Sequence, residues 1–361
     1  MAECVAGQLK RSDAVLSYQA WGDGPALVLV HGLAGYGREW RPLANRLGSA
    51  FRFVVFDQRG HGGSTRQPVD LSRRAFVDDL LAVVDAVSPH DPAILVGQSM
   101  GAHTAMLAAA ADPSRVTRLV MIEGGVGGGD PAAARAIGER LAAWPIPFPD
   151  RASAVAFFGE GDAAEAWADG LELRDGQLWP CFDPAVMTTS IAPVLIEPAW
   201  KAWDSLAVPT LLVLGDDGTI DPDQVRQMLE RQPLARQTVI GGAGHDVHLD
   251  RPDGLAKAIL DRHPGTSMEV KPGFTSKPSD PDHHMAGIIA RHVVDLGYPP
   301  PISIPSLGGS DCRFWRKRGI PAFVYGTSPS NISAPDESTS VEEFLHVVRV
   351  HTLAAIDYLT G

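Results

Sequence analysis

The stretch PAILVGQSMGAHTAMLAAAAD (92–112) decides the fold of this 361-residue chain. It opens as an apolar run of strand character, turns sharply at Gly97-Gln98-Ser99-Met100-Gly101, and continues as an Ala-rich helix that must stop before Pro113. A chain that passes from strand to helix within a residue or two has little room for side chains at the turn. Glycines at 97 and 101 leave that room, and Ser99 is forced to the exposed apex. The new helix begins there, so its unpaired amides and the positive end of its dipole face whatever the serine meets. Ser99 is therefore the candidate nucleophile.

The pattern on either side agrees. PALVLVHG (25–32), FRFVVFDQRG (51–60) and RLVMIEGG (118–125) read as strands that are apolar on both faces, and SRRAFVDDLLAVVDAV (72–87) has helical spacing. Such strands, alternating with helices, predict a mostly parallel sheet covered on both sides. The rhythm stops near Gly127. Residues 129 to about 204 are rich in Ala, Trp and Pro and mostly helical in pattern. It resumes with VPTLLVLGDD (208–217), DPDQVRQMLERQ (221–232) and ARQTVIGGAGH (235–245). A helical insertion at that point is expected to cap the edge of the sheet where ligands bind in open α/β folds.

A serine hydroxyl needs a base to remove its proton at neutral pH. Gly242-Ala243-Gly244-His245 follows the last predicted strand, and a histidine on such a loop can reach the sheet edge. His248 is the competitor, and the Gly-x-Gly-His context favours His245.

Composition narrows the partners. The chain is 45% hydrophobic and 20% charged, as in ordinary globular proteins, with a net charge of −12. Excess carboxylate disfavours nucleic acid and anionic membrane surfaces. Three scattered cysteines, Cys4, Cys181 and Cys312, make neither a disulfide framework nor a zinc site. The start MAECVAGQLKR lacks the apolar core of a signal peptide, and no apolar run reaches the ~18 residues of a membrane span, so a cytoplasmic protein is expected.

HGLAG (31–35), DQRGHGGS (57–64), GQSMG (97–101) and GAGHDVHLDRP (242–252) together resemble the α/β-hydrolase superfamily, near its esterases, lactonases, C–C hydrolases and haloalkane dehalogenases. The resemblance covers residues 1 to about 263. It implies a mostly parallel eight-stranded sheet with helices on both faces and a helical cap. It also implies an oxyanion hole from the backbone N–H groups of Leu33 and Met100. Most relatives carry the third member of the triad in a G-x-x-D-x-x-x-P pattern after the strand before the last. Here Gly215 and Pro222 match, but the acid position holds Gly218. One branch of the superfamily places its acid about two dozen residues past the nucleophile. Glu123, 24 residues beyond Ser99, matches it and is preferred over Asp216 or Asp217. Its role would be to fix the His245 tautomer and stabilise the imidazolium. Asp57, Arg59 and His61 are expected to hold their loop, and His31 to be structural.

The activity implied is hydrolysis of a carboxylic ester, thioester, lactone or amide of medium size through an acyl-enzyme on Ser99, without cofactor or metal. An acyltransferase or thioesterase of a biosynthetic pathway and a non-catalytic binding protein are competing readings. Trp144, Phe148, Phe157, Phe158, Trp167, Trp179, Phe182, Trp200 and Trp203 either pack the cap or line an apolar pocket for a small-molecule acyl substrate.

Beyond a Pro/Ser/Lys/Asp-rich linker at 264–282, the tail resembles a different family. GGSDCRFWRKRGIPAFVYG (308–326) and APDESTSVEEFLHVVRVHTLAAIDYL (334–359) are similar to the end of the zinc-dependent aminoacylases and peptidases that include acetylornithine deacetylase. A zinc aminoacylase/peptidase-related protein acting through this C-terminal segment is a further competing reading. The metal site does not carry over. The family's last ligand is a histidine four residues before Glu337, where this chain has Ser333, and the adjacent His283 and His284 diverge on a helix. Residues 283–361 are read as a small α/β extension, a truncated segment without metal that serves for docking, covering or homodimerisation, with GIPAFVYG (319–326) as a strand.

Overall fold

The computed structural model describes residues 4–130, 132–261, 279–301, 312–327 and 338–360. The chain forms two compact units, residues 1–268 and 269–361.

The first unit is built on one eight-stranded sheet. Its strands are β1 (Val5–Lys10), β2 (Val15–Trp21), β3 (Ala26–Val30), β4 (Arg52–Phe56), β5 (Ala93–Gln98), β6 (Val116–Ile122), β9 (Thr210–Gly215) and β10 (Ala235–Ile240). They lie in the order β1-β2-β4-β3-β5-β6-β9-β10. β1 and β2 form an antiparallel pair, β2 meets β4 antiparallel, and all later neighbours are parallel. Every residue of β3 and β5 is buried, which is why these strands read as unbroken apolar runs rather than alternating ones.

Two helical layers provide that burial. α1 (Arg41–Leu47) and α11 (Pro252–Leu260) cover one face, where Leu43, Leu47, Leu255 and Ile259 pack on Leu27, Leu29, Val96 and Val213. α2 (Arg73–Val87), α3 (Met100–Ala111) and α9 (Pro222–Arg231) cover the other through Leu80, Val84, Ala105, Met106, Val225 and Met228. A short helix, α10 (Val247–Asp250), precedes α11.

Between β6 and β9 the chain inserts α4 (Ala132–Ala142), α5 (Arg151–Phe158), α6 (Asp162–Asp169), the two-stranded β7 (Glu172–Arg174) and β8 (Gln177–Trp179), α7 (Pro184–Ile196) and α8 (Trp200–Asp204). α4 packs on α7, and α5 on α6. Asp150 and Asp183 cap α5 and α7 by accepting the N–H groups of Ser153 and Ala185 at 2.8 Å.

The second unit contains α12 (His284–Asp295), α13 (Cys312–Lys317) and α14 (Val341–Thr360). α12 and α14 pack together, and His292 Nε2 meets Asp357 Oδ2 at 2.8 Å. His283 Nδ1 accepts the Met285 N–H and caps α12. The expected strand at 319–326 is not formed. Among the described residues no strand pairs with it; side chains meet part of its backbone instead, as when Ser279 Oγ bonds both the N–H and the C=O of Ala322. The described part of this unit is therefore helical rather than α/β. Most of the expected linker, and positions 333 and 337, lie outside the described residues. Among the described residues no helix is long and apolar enough to cross a membrane.

Candidate active site

Ser99 joins β5 to α3 with φ 52° and ψ −118°. A non-glycine residue in this region is strained by about 1–3 kcal/mol, and the surroundings must impose it. They do so through the Ser99 N–H, which donates to Ile122 O at 2.9 Å, and through Ser99 O, which accepts from His103 N at 3.2 Å. The flanking glycines have steric reasons. A Cβ on residue 97 would lie 2.4 Å from Gly101 O, and one on residue 101 would lie 2.3 Å from Val30 O.

The loop after β3 approaches the same point. Ala34 is also left-handed, at φ 62°, and its N–H donates to His61 Nε2 at 3.1 Å. The N–H groups of Leu33 and Met100 have no acceptor among the described residues, and Leu33 lines the cavity that holds Ser99. His31 is buried and accepts the Gln58 N–H at Nε2, 2.9 Å away. Burial, reinforced by His31, drives His61 down to about 3, so it is a neutral acceptor. Asp57 receives the N–H groups of Gly37 and Gly63 at 2.6 and 2.8 Å. Arg59 is buried against Asp79 at 2.7 Å and also meets Asp13. His31, Asp57, Arg59 and His61 hold loops, and none of these four lines the cavity.

Glu123 ends β6 at φ 43° with only 1% of its surface exposed. Oε1 accepts the Gly215 N–H at 2.9 Å, and Oε2 accepts the Thr219 N–H at 2.7 Å. Burial opposes its ionisation, but His245 and these two amides outweigh burial and hold the carboxyl below its ordinary range. His245 Nδ1 lies 3.5 Å from Glu123 Oε2 and 2.9 Å from Thr219 Oγ1. The imidazole and Ser99 face one cavity.

Among the described residues neither alternative acid bonds to His245. Asp216 Oδ1 accepts the Ala243 N–H at 3.1 Å, and the Asp217 N–H donates to Ala243 O at 3.0 Å. Both thereby hold the loop that carries His245. His248 is 2% exposed, meets Glu39 Oε1 at 3.1 Å and stacks on Trp40.

The cavity measures about 220 Å³. Leu33, Ala34, Ile137, Leu141, Ile191 and Leu249 give it apolar walls, and α4, α6 and α7 of the insertion contribute to them. Of the nine aromatic residues singled out between β6 and β9, only Trp167 lines it. Trp144 sits among Phe157, Phe158, Trp167 and Phe182, with ring centres 4.9–6.1 Å apart, so most of these rings pack the insertion itself. Trp203 is fully buried in the sheet core. A cavity of about 260 Å³ at the opposite ends of the strands, beside Ile94, Leu119 and Pro209, contains no candidate nucleophile or base.

Three site residues carry no sequence signal. Thr219 stands between acid and base. Asp246 Oδ2 accepts the Trp167 Nε1–H at 3.1 Å, and its Oδ1 accepts the Gln98 Nε2–H at 3.2 Å. Gln98 also donates to His245 O at 3.0 Å, so the residues next to the candidate nucleophile and base are bonded together and to the insertion.

This sheet order, with a strained serine on the turn after β5 and a histidine on the loop after β10, defines a hydrolase-type α/β protein. The chain belongs to the alpha/beta hydrolase family, whose model matches residues 27–258. It is 31% identical over 254 residues to N-formylmaleamate deformylase of Pseudomonas putida, covering 66% of this chain and 89% of that protein. It is 31% identical over 243 residues to esterase YbfF of Escherichia coli, covering 64% and 91%. The crystal structure of E-2-(acetamidomethylene)succinate hydrolase superposes with a TM-score of 0.65 at 26% identity, covering 72% of this chain and 98% of that one.

Proposed function

We propose that this protein is a serine hydrolase acting through an acyl-enzyme on Ser99. The reading rests on one arrangement. Ser99 is held at a strained apex in the cavity that His245 also lines, and the far side of the imidazole faces the buried Glu123 carboxylate. His245 Nε2 takes the Ser99 proton as Oγ attacks the substrate carbonyl. The N–H groups of Leu33 and Met100 receive the developing oxyanion. His245 then returns the proton to the leaving group, and water reverses the sequence to release the acid. Glu123 stays ionised and stabilises the imidazolium.

The apolar walls and the modest volume favour a medium-sized hydrophobic acyl group in an ester, thioester, lactone or amide. The names of the deformylase and the acetamidomethylene succinate hydrolase are reason to include amides among the compounds tried. On this reading helices α4–α8 act as a cap, and residues 269–361 take no part in the chemistry.

The test is intact mass after treatment with a fluorophosphonate probe. One adduct on the wild type, absent from Ser99→Ala, supports an activated serine. A wild type that takes no adduct while a control hydrolase does would sink the proposal.

A further inference from the structure

The shortest contact of His245 Nδ1 is with a hydroxyl. Thr219 Oγ1 lies 2.9 Å away, whereas Glu123 Oε2 lies at 3.5 Å. The same threonine donates its backbone N–H to Glu123 Oε2 at 2.7 Å, and its hydroxyl lies 3.5 Å from that oxygen. Acid and base therefore meet around one residue.

The tautomer decides what the hydroxyl does. A histidine that takes a proton at Nε2 must already carry one on Nδ1. That Nδ1–H points at Thr219 Oγ1, which accepts it, and the threonine O–H is then free to donate to Glu123 Oε2. The reverse orientation would put the proton on Nε2 and disable the base. The carboxylate offers an acceptor to the hydroxyl proton and so selects the first orientation. No proton needs to leave the imidazolium. It keeps Nδ1–H, the hydroxyl keeps its own proton, and Glu123 remains ionised.

We infer that Thr219 is a positioning residue that carries the link between Glu123 and His245. The inference rests on the serine-hydrolase reading and adds a fourth member to its array. It also accounts for the half-exposed imidazole, whose side chain is 37% accessible and gains an anchor at Nδ1. The loop after β9 then still serves the acid, by holding a carboxylate that comes from β6.

The experiment follows the rate of fluorophosphonate labelling of the full chain by intact mass from pH 5 to 9. Thr219→Val keeps the shape and removes the hydroxyl, and Thr219→Ser keeps the hydroxyl. The valine variant should label on the order of tenfold more slowly, as expected for losing one hydrogen bond to a group that becomes charged. The serine variant should stay within about twofold. The loss caused by Glu123→Gln should shrink in the valine background, because part of the carboxylate's effect passes through the hydroxyl. Thr219→Ala replaces valine if the latter does not fold. Wild-type rate and pH profile in the valine variant, or additive losses in the double variant, overturn the inference. Labelling of Ser99→Ala equal to wild type would instead overturn the serine-hydrolase reading, so the two failures are distinguishable.

Discussion

The carboxylate of Glu123 fills the space above Gly218: a Cβ on residue 218 would lie 2.1 Å from Oε1 and 2.6 Å from the carboxyl carbon. The position where most relatives would carry the acid is thus closed to any side chain while Glu123 is in place. One carboxylate excludes the other, and the glycine belongs with the glutamate.

Gly218→Ala therefore acts on catalysis more than on the fold. The added methyl displaces Glu123 from the amides of Gly215 and Thr219. We expect a loss of about 100-fold or more in kcat on an ester panel, within the span seen when the acid of a triad is compromised. A Tm within a few degrees of wild type would show that the sheet is intact. Unchanged kcat would contradict the packing argument.

Glu123→Gln keeps the volume and removes the charge. Its kcat should fall by roughly 10³-fold, in the direction of acid-to-amide changes in other triads. Asp216→Asn should leave kcat within about threefold, since Asp216 serves the loop through the Ala243 N–H. A larger effect at Asp216 than at Glu123 would reverse the assignment of the acid. Both measurements use steady-state hydrolysis of one ester.

Stability should fall on mild acidification, and the sign follows from two histidines. Burial lowers both His61 and His103 to about 3. Above about 6.5 they are neutral in the folded and unfolded chains alike and contribute no pH dependence. Below that value the unfolded chain takes up protons that the folded chain refuses. Unfolding then becomes easier by about 1.4 kcal/mol per pH unit for each histidine. The depressed Glu123 carboxyl acts in the same sense at lower pH: its contribution is present above the ordinary carboxyl range and lost as pH falls through its folded value. Urea unfolding at pH 7.5 and 5.5 measures the loss, and His103→Gln should reduce its slope. A flat profile would mean that these rings are protonated in place.

Trp167→Phe removes the indole N–H that reaches Asp246 while keeping an aromatic wall. The expected outcome is a rise in KM of a few-fold with a smaller change in kcat, because the contact joins the insertion to the loop beside His245. Asp246→Asn should fall in the same direction. Steady-state kinetics on the ester that serves the Glu123 comparison provide the check.

Much of this was legible in the sequence because some physical demands leave fixed marks. The turn at Ser99 must have small neighbours at fixed offsets, and strands buried on both faces must be apolar throughout, so residues 92–112 and the parallel strands could be read directly, whereas β1 and β2 at the sheet's edge were not. Glu123 was reachable only through the resemblance to a branch of the superfamily that places its acid at that distance from the nucleophile. Thr219 was not, because its importance lies in where a hydroxyl falls relative to residues that follow two other strands. The aromatic residues of the insertion misled for a related reason: composition cannot tell a ring that lines a cavity from one that packs against Trp144. The strand expected at 319–326 failed because an extended segment needs a partner, and partners are set by tertiary structure.

The proposed base lies on the loop after the last strand of the sheet, whereas the proposed nucleophile, both proposed oxyanion donors and the proposed acid all precede the insertion. A polypeptide leaving the ribosome thus exposes its serine long before it has anything to activate it. Reactivity would switch on only when β9 and β10 have docked and brought His245 across. Shortened products of translation or proteolysis that end within α9 would keep Ser99 and stay inert, and so could not hydrolyse anything indiscriminately while still half made.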